Sequence, residues 1–532
     1  MPGYILTNAS FWTPPGKQFE ALAVLRGVVE AAGTQTSLEE FGSRYGYRVV
    51  DLEGRTAVPG LIDAHIHLAS LAKAREAYID LHSARSIEEL KKLVKRGVEG
   101  REGWVLGRGW DQERLEERRP PTRWDLDPVT GDRPVLLYRV CGHVAVANTA
   151  ALRLTGLLED PGRVPGVDLD EQGRPTGILR EAAAEYVARK APEPGPETLA
   201  RYLEKTLRSL AEFGVTGVHT VYARRTEILA LQRVGHIARV RIYVEPGLAG
   251  PLEALGLEAG FGDQWLKIMG VKVLTDGSLG ARTAALREPY NDDPSTRGVM
   301  NYSDDAIFDL MLLVRETRLQ GSFHAIGDRA LEAVLRIAEK IGVSGPALRV
   351  EHASLAPPDL REKMTSVKPV VVVQPQFVLS DTWIIERLGE RAKHAYPFRS
   401  LLKAGLLLAA SSDAPVEEPN PWMGVYAAVA RGEPEGLPLS RLTPGERLSV
   451  EEALTMYTSG SAAASLDKGF LGCLEPGCAA DIAVLNRDPF KTSINGLKEV
   501  RSVVTLVAGR AVHVDRDTRL AVRLEELGLT VR

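Results

Sequence analysis

The chain reads as an α/β protein: a (β/α)8 TIM-type barrel with a small discontinuous β-sandwich domain from both chain ends and an inserted subdomain after strand 1. Three observations carry this reading. Through the middle of the chain, short apolar strands alternate with segments of helical period, which favours a parallel sheet. Eight such units fit a closed barrel better than a doubly wound sheet, which would leave open edges. The first and last stretches share a β-rich, turn-rich texture and so pair into one small domain. At 532 residues the chain also exceeds what a single core usually organises.

Residues 1 to about 60 contain GYILTNASFW, EALAVLRGVVEAAG and RVVDLEGRTAVPG, which read as short strands and turns with no long helix. AVPGLIDAHIH supplies the first barrel strand. Residues 70 to about 195, including RGWDQERLEERRPPTRWDLDPVTGDRPVLLYRVCGHVAVANTAAL, interrupt the alternation and read as a subdomain over the barrel mouth. The other strands follow as FGVTGVHT, ARVRIYVE, WLKIMGVKVLTDG, GSFHAIGD, ALRVEHAS, KPVVVVQPQ and LLLAASSDAP. Between them, Ile307, Leu310, Met311 and Val314, and again Leu331, Val334, Leu335 and Ala338, fall at the i, i+3, i+4, i+7 positions of amphipathic helices. KGFLGCLEPGCAADIAVLNRDPF and VRSVVTLVAGRAVHV return to β texture. The expected domains are therefore 1–60 with 465–532 as a composite β-sandwich, and 61–464 as the barrel with its insertion at about 70–195.

Hydrophobic residues at 44% and charged residues at 26% suit a soluble protein with a sizeable core. The net charge is −4 and Lys and Arg are dispersed, so no basic stripe points to a nucleic-acid partner. No apolar run reaches the roughly 18 residues of a membrane span, and the N-terminus lacks a charged segment followed by an apolar one. No membrane partner and a cytoplasmic location are expected. Cys141, Cys473 and Cys478 are odd in number and lack CxxC spacing, which supports neither a disulfide framework nor a cysteine zinc site. Free thiols, buried or incidental, are the expectation.

Asp63, His65 and His67 alternate, and the period of two puts both histidines on one face at the end of the first barrel strand. Two imidazoles so placed can share a metal, although a pair of ordinary polar residues would fit the position equally well. His324 and His352 also end their strands, where active sites of such barrels are built. Asp413 emerges from LLLAASSDAP, where a carboxylate needs a cation or donor to offset desolvation. A helix N-cap or turn aspartate is the alternative reading. Lys267 and Lys272 are five apart and face opposite sides of their strand, and Lys272 is nearer its C-terminal end. An ammonium beside metal-binding histidines must be deprotonated, paired with a carboxylate or converted to an anion, and the residues leave all three open.

PGLIDAHIHL, VKVLTDGSLGART, HAIGDRA, RVEHAS, SSDAPVEEPNPW and KGFLGCLEPGCAADIAVLNRDPF together resemble the amidohydrolase superfamily. The match is to its N-substituted formamide deformylase-like branch (amidohydrolase family 3) and covers nearly the whole chain. RGWDQ and GHVAVANTAAL resemble that branch rather than ureases, dihydroorotases or deaminases. The resemblance implies two divalent metal ions. His65 and His67 bind one, His324 and His352 the other, and Lys272, carboxylated by CO2, bridges both as a carbamate. Zn2+ suits such nitrogen and oxygen donors, with iron, manganese and nickel left open.

The activity implied is metal-dependent hydrolysis of a C–N bond, amide or formamide-like, in a small-molecule substrate. A metal-activated hydroxide attacks the carbonyl, and Asp413 serves as general acid/base and touches metal. By resemblance, His143 and Arg282 face the substrate and stabilise charge on oxygen. Loop anchoring and an ion pair are their alternative roles. Trp110 and Asp111 line the pocket entrance, with core packing the alternative for Trp110. His219 has no metal role and reads as a hydrogen-bonded residue at the mouth, while His82, His236, His394 and His513 read as structural.

One departure is visible. Many relatives carry a histidine in the seventh-strand motif beginning Gln-Pro, whereas this chain has QPQFVLSDTW, with Gln376 and Phe377, so a different substrate preference is expected. Nucleobase deaminases use a glutamate just after the fifth-strand histidine, which HAIGDRA lacks. Lactone or other ester hydrolysis on the same site stays open, because only pocket contacts separate it. A catalytically silent regulatory relative is a further alternative, opposed by the intact set of His65, His67, Lys272, His324, His352 and Asp413. The habits of relatives leave a homodimer open.

Overall fold

Eight parallel strands form the barrel: β1 (Leu61–Ile66), β2 (Val215–Ala223), β3 (Arg239–Val244), β4 (Leu266–Leu274), β5 (Gln320–Ala325), β6 (Leu348–His352), β7 (Val370–Val373) and β8 (Leu407–Ala410). They pair in sequence order in a computed structural model that describes residues 3–99, 103–140, 142, 144–516 and 519–530. Strands covered on both faces favour continuous β-branched runs, and Val370–Val373 is such a run, buried throughout. The seam between β8 and β1 is closed just beyond β8. The Asp413 N–H donates to His65 O at 2.9 Å, and the His67 N–H donates to Ala414 O at 2.9 Å. The buried Asp63 carboxylate crosses the same seam, accepting from the Ser412 N–H at 3.1 Å.

The helix Asp304–Thr317 is capped by Ser303, whose hydroxyl accepts from the Ala306 N–H at 3.3 Å. The helix Asp328–Ile341 ends at Gly342, whose φ of 80° is the left-handed conformation that a helix terminus needs.

The two chain ends share one sheet. Its order is Arg510–Val514, Ser502–Val507, Ile482–Leu485, Arg48–Pro59, Tyr4–Thr13, Ala21–Leu25 and Val28–Gly33, with Lys17–Phe19 added on Tyr4–Thr13. Ile482–Leu485 runs antiparallel to Arg48–Pro59 and makes the join between the ends. A bridge between Val28 and Ala479 brings the far edge back to the C-terminal segment. This sheet belongs with the barrel to one unit, residues 1–68 and 207–532. Buried ion pairs tie them: Arg239 of β3 to Asp481 at 2.6 and 3.0 Å, and Arg241 of β3 to Asp467 at 2.6 Å. Lys267 of β4 reaches Asp467 at 2.7 Å.

Two expectations are corrected here. Gln35–Tyr45 is an eleven-residue helix in a stretch read as lacking one. Thr34 caps its first turn, Gly46 at φ 72° ends it, and Leu38 packs beside Ile5, Ala21 and Ala23. Cys473 and Cys478 are joined in a disulfide rather than free. The Glu-Pro-Gly turn between them, with the Cys478 N–H donated to Glu475 O at 3.0 Å, brings their Cα atoms to 5.9 Å, within bridging range. Cys141 lies outside the described residues.

Residues 69–206 form the second unit. Its sheet has the order Val167–Leu169, Pro175–Arg180, Val144–Ala147, Val135–Arg139, Val105–Trp110 and Ile79–Asp80. Helix Ile87–Val98 lays Leu90 and Val94 into a core shared with Trp110, Leu126 and Leu137. No helix among the described residues is long and apolar enough to cross a membrane.

Candidate functional site

The C-terminal ends of β1, β4, β5, β6 and β8 bring one set of polar side chains together. His65 is fully buried on β1, and His67 follows the strand, half-buried. The Nε2 atoms of both approach one oxygen, Asp413 Oδ1, at 3.2 and 3.3 Å. The His65 ring lies 5.0 Å from that of His352, and the His352 ring lies 4.3 Å from that of His324. Lys272 is fully buried and pairs in register with Ser322 of β5. Asp413 and His352 hold positive φ angles of 57° and 76°, a strained conformation for residues with a side chain and one that recurs at functional sites.

Hydrogen-bond partners fix which ring nitrogen faces the centre. His65 Nδ1 meets the Glu351 carboxylate at 2.6 Å and His352 Nδ1 meets Gln374 Oε1 at 2.7 Å, so both rings direct Nε2 elsewhere. His324 is turned the other way. Its Nε2 donates to Gly277 O at 2.9 Å, leaving Nδ1 as the lone-pair atom.

Electrostatics agree with a ligand set. Burial holds the His67, His324 and His352 imidazoles below their ordinary value, His352 down to about 3, which keeps them in the neutral, metal-binding form. His65 is the exception: burial and Lys272 push it down, but Glu351 and Asp413 outweigh them and raise it. Burial opposes ionisation of Asp413, yet His65 and His67 hold it well below the usual carboxylate range. Burial also pushes the Lys272 ammonium down to about 8. Asp276, beside His324 at 3.4 Å, is raised to about 7 by burial despite accepting from the N–H groups of Ala285, Ile326 and Gly327.

His65 Nε2, Asp413 Oδ1 and Lys272 Nζ are all buried without a hydrogen-bond partner. In the neutral ring, with Nδ1 donating to Glu351, His65 Nε2 turns a lone pair toward an ionised carboxylate oxygen, an arrangement of two acceptors that either a second ring proton or a metal cation satisfies. The residues present therefore fit a divalent metal with nitrogen and oxygen donors.

Other predicted positions fall differently. Arg282 is ion-paired with Asp292 at 2.8 Å and has a φ of 57°. Trp110 is 1% exposed in the core of the second unit, with its Nε1–H donated to Leu137 O at 2.8 Å. Asp111 pairs with Arg139 at 2.7 Å in that unit. His143 lies outside the described residues. His219 is hydrogen-bonded, but to Arg349 inside the barrel at 3.2 Å, because β2 continues past it to Ala223. Gln376 anchors a loop by donating to Glu418 O at 2.8 Å, and Phe377 lies parallel to the His352 ring at 6.3 Å.

Glu351 and Gln374, which aim two of the histidines, were not picked out from the sequence. A signal for Glu351 was present, since Arg349 and Glu351 alternate within an apolar strand immediately before His352.

The model of the amidohydrolase family matches residues 48–513. The chain belongs to the amidohydrolase family. This amidohydrolase is 37% identical to a metal-dependent hydrolase from Pyrococcus horikoshii OT3 whose function is uncharacterised. The TM-score is 0.82, and the match covers 93% of this chain and 99% of that one. It is 31% identical to YtcJ of Bacillus subtilis (strain 168), provisionally named an amidohydrolase, over 94% of this chain and 96% of that protein. It is 27% identical to the N-substituted formamide deformylase of Arthrobacter pascens, over 96% and 98% of the two chains. Family and fold place this amidohydrolase among hydrolytic enzymes.

Proposed function

We propose that this amidohydrolase cleaves a C–N bond, amide or formamide-like, in a small molecule, with two divalent cations held by His65, His67, Lys272, His324, His352 and Asp413. The observation that carries the reading is the convergence of three buried, unpartnered polar atoms, Lys272 Nζ, His65 Nε2 and Asp413 Oδ1, at the C-terminal ends of barrel strands. The name of the Arthrobacter pascens relative supports the bond type. When bound, the cations, zinc by preference of the donor set, supply Lewis acidity and bring the pKa of water near neutrality.

The chain's own groups do the rest. Lys272, lowered to about 8, exposes its neutral amine at moderate pH, the form that adds CO2 to give a carbamate and releases a proton. That conversion replaces a cation by an anion among metal ligands and removes the charge conflict. Asp413 takes a proton from the attacking water and returns it to the nitrogen as the C–N bond breaks. Its backbone N–H, anchored on His65 O, keeps the carboxylate beside His65 and His67.

The test is elemental mass spectrometry on protein purified without chelator, followed by turnover of N-substituted formamides and N-acyl amines by the wild type and Asp413→Asn. About two transition-metal ions per chain, and a rate on Asp413→Asn lower by roughly 10²- to 10⁴-fold, are expected for loss of the proton carrier. No metal after reconstitution, or an Asp413→Asn rate equal to wild type, overturns the proposal.

A further inference from the structure

We infer that Glu351 is a positioning residue that fixes the tautomer of His65, so that the imidazole presents its Nε2 lone pair to a metal ion. This rests on the metal-site reading above. Glu351 is wholly buried on β6, and each of its oxygens has a defined task. Oε2 meets His65 Nδ1 at 2.6 Å, while Oε1 accepts from Ser322 Oγ at 2.7 Å and from Arg349 Nε at 2.9 Å. Arg349, equally buried, also donates to Ala64 O at 2.7 Å and to His219 Nδ1 at 3.2 Å. Its guanidinium lies 4.2 Å from the centre of the Tyr243 ring. The pair is thereby held by side chains or backbone of β1, β2, β3, β5 and β6.

A buried Arg–Glu pair contributes little net stability compared with apolar residues of the same volume. The geometry instead assigns it an orienting task. Arginine only donates, so Oε1 must accept, and an ionised Oε2 accepts as well. His65 Nδ1 therefore carries the proton. A carboxylate behind a ligand imidazole also makes that imidazole a stronger donor to metal than an amide does. Gln374, the neutral acceptor behind His352, provides the contrast within the same site.

The decisive variant is Glu351→Gln. Arg349 retains the amide oxygen, which leaves the NH2 facing His65 Nδ1 and drives the ring proton to Nε2, the atom needed for metal. Two measurements read this out: imidazole 15N–1H correlation spectra of the metal-free protein at a pH where the His65 ring is neutral, and zinc affinity by competition with a chromophoric chelator. Wild type is expected to show His65 protonated on Nδ1, and Glu351→Gln on Nε2, with zinc bound roughly 10- to 100-fold more weakly. If Arg349 left without its counter-charge prevents folding, Glu351→Asp keeps the charge but withdraws it from His65, and weaker zinc binding is again expected. Unchanged tautomer and unchanged affinity in a folded variant overturn the inference while leaving the metal site intact. A wild type that binds no zinc at all overturns the metal-site reading and this inference with it.

Discussion

Replacing Asp481 by alanine tests how the barrel is fastened to the sheet made from the chain ends. Asp481 receives Arg239 Nε at 2.6 Å and Nη2 at 3.0 Å, and its Oδ1 also accepts the Ala508 N–H at 2.7 Å. Arg239 is 1% exposed, so the truncation leaves a desolvated charge without its partner. Breaking one side of such a pair costs about 3–5 kcal/mol. The abandoned Ala508 donor overlaps with that cost rather than adding to it in full, and about 4 kcal/mol is the working figure. For a unit of roughly 400 residues, an unfolding entropy of about 2 cal/mol/K per residue turns this into a Tm lower by about 5 °C. Calorimetry at fixed protein concentration measures it, and Arg239→Met combined with Asp481→Leu should recover most of the loss because no charge is then stranded. A single variant within about 1 °C of wild type would refute the reasoning, as would a double variant as unstable as the single one.

Asp467 gives a pH signature. Burial opposes its ionisation, but Arg241 and Lys267 hold it below the ordinary aspartate range. Its contribution is therefore complete above the pKa of an unfolded aspartate and is lost as the pH falls through the lower folded value. Asp467→Asn should flatten the acid limb of stability against pH measured by urea unfolding, and an unchanged limb counts against the assignment. Trp110→Ala should cost the second unit about 3–5 kcal/mol through its emptied core position, read as an earlier unfolding step or heightened protease cleavage within residues 69–206. A stable variant with altered substrate affinity would instead support the pocket-entrance role. Alkylation of denatured, unreduced protein should label one of its three cysteines, Cys141, and labelling of all three would exclude the Cys473–Cys478 bridge.

The barrel was legible because most of its strands are short apolar runs bounded by a turn or helix signal, and because Asp63, His65 and His67 keep a period of two through the end of the first strand. The helix Gln35–Tyr45 was missed although Thr34 and Gly46 are ordinary start and stop signals. Its few apolar residues gave too weak a stripe to outweigh the β texture on either side. Counting cysteines failed for a different reason: an odd total argues against a complete framework but says nothing about one local pair across a tight turn. The segment FGVTGVHT suggests a strand ending at Thr220, but Val221, Tyr222 and Ala223 continue the ladder and leave His219 inside the barrel. The orienting tasks of Glu351 and Gln374 are set by side chains on other strands, His352 for Gln374 and His65 for Glu351, so the alternation of Arg349 and Glu351 marks a buried polar face without naming its partner. Glu351 lies 286 residues from His65, a distance that no local pattern spans.

The seam of the barrel carries a consequence for the order of events during synthesis. Asp63 and Ser412 meet across 349 residues, and the adjacent backbone bonds join His65 and His67 to Asp413 and Ala414. A nascent chain therefore exposes its first two histidines long before the carboxylate that faces them leaves the ribosome. Until β8 docks, those imidazoles are solvated side chains at an unfinished edge, and the act that seals the cylinder also sets the Asp413 carboxylate against them.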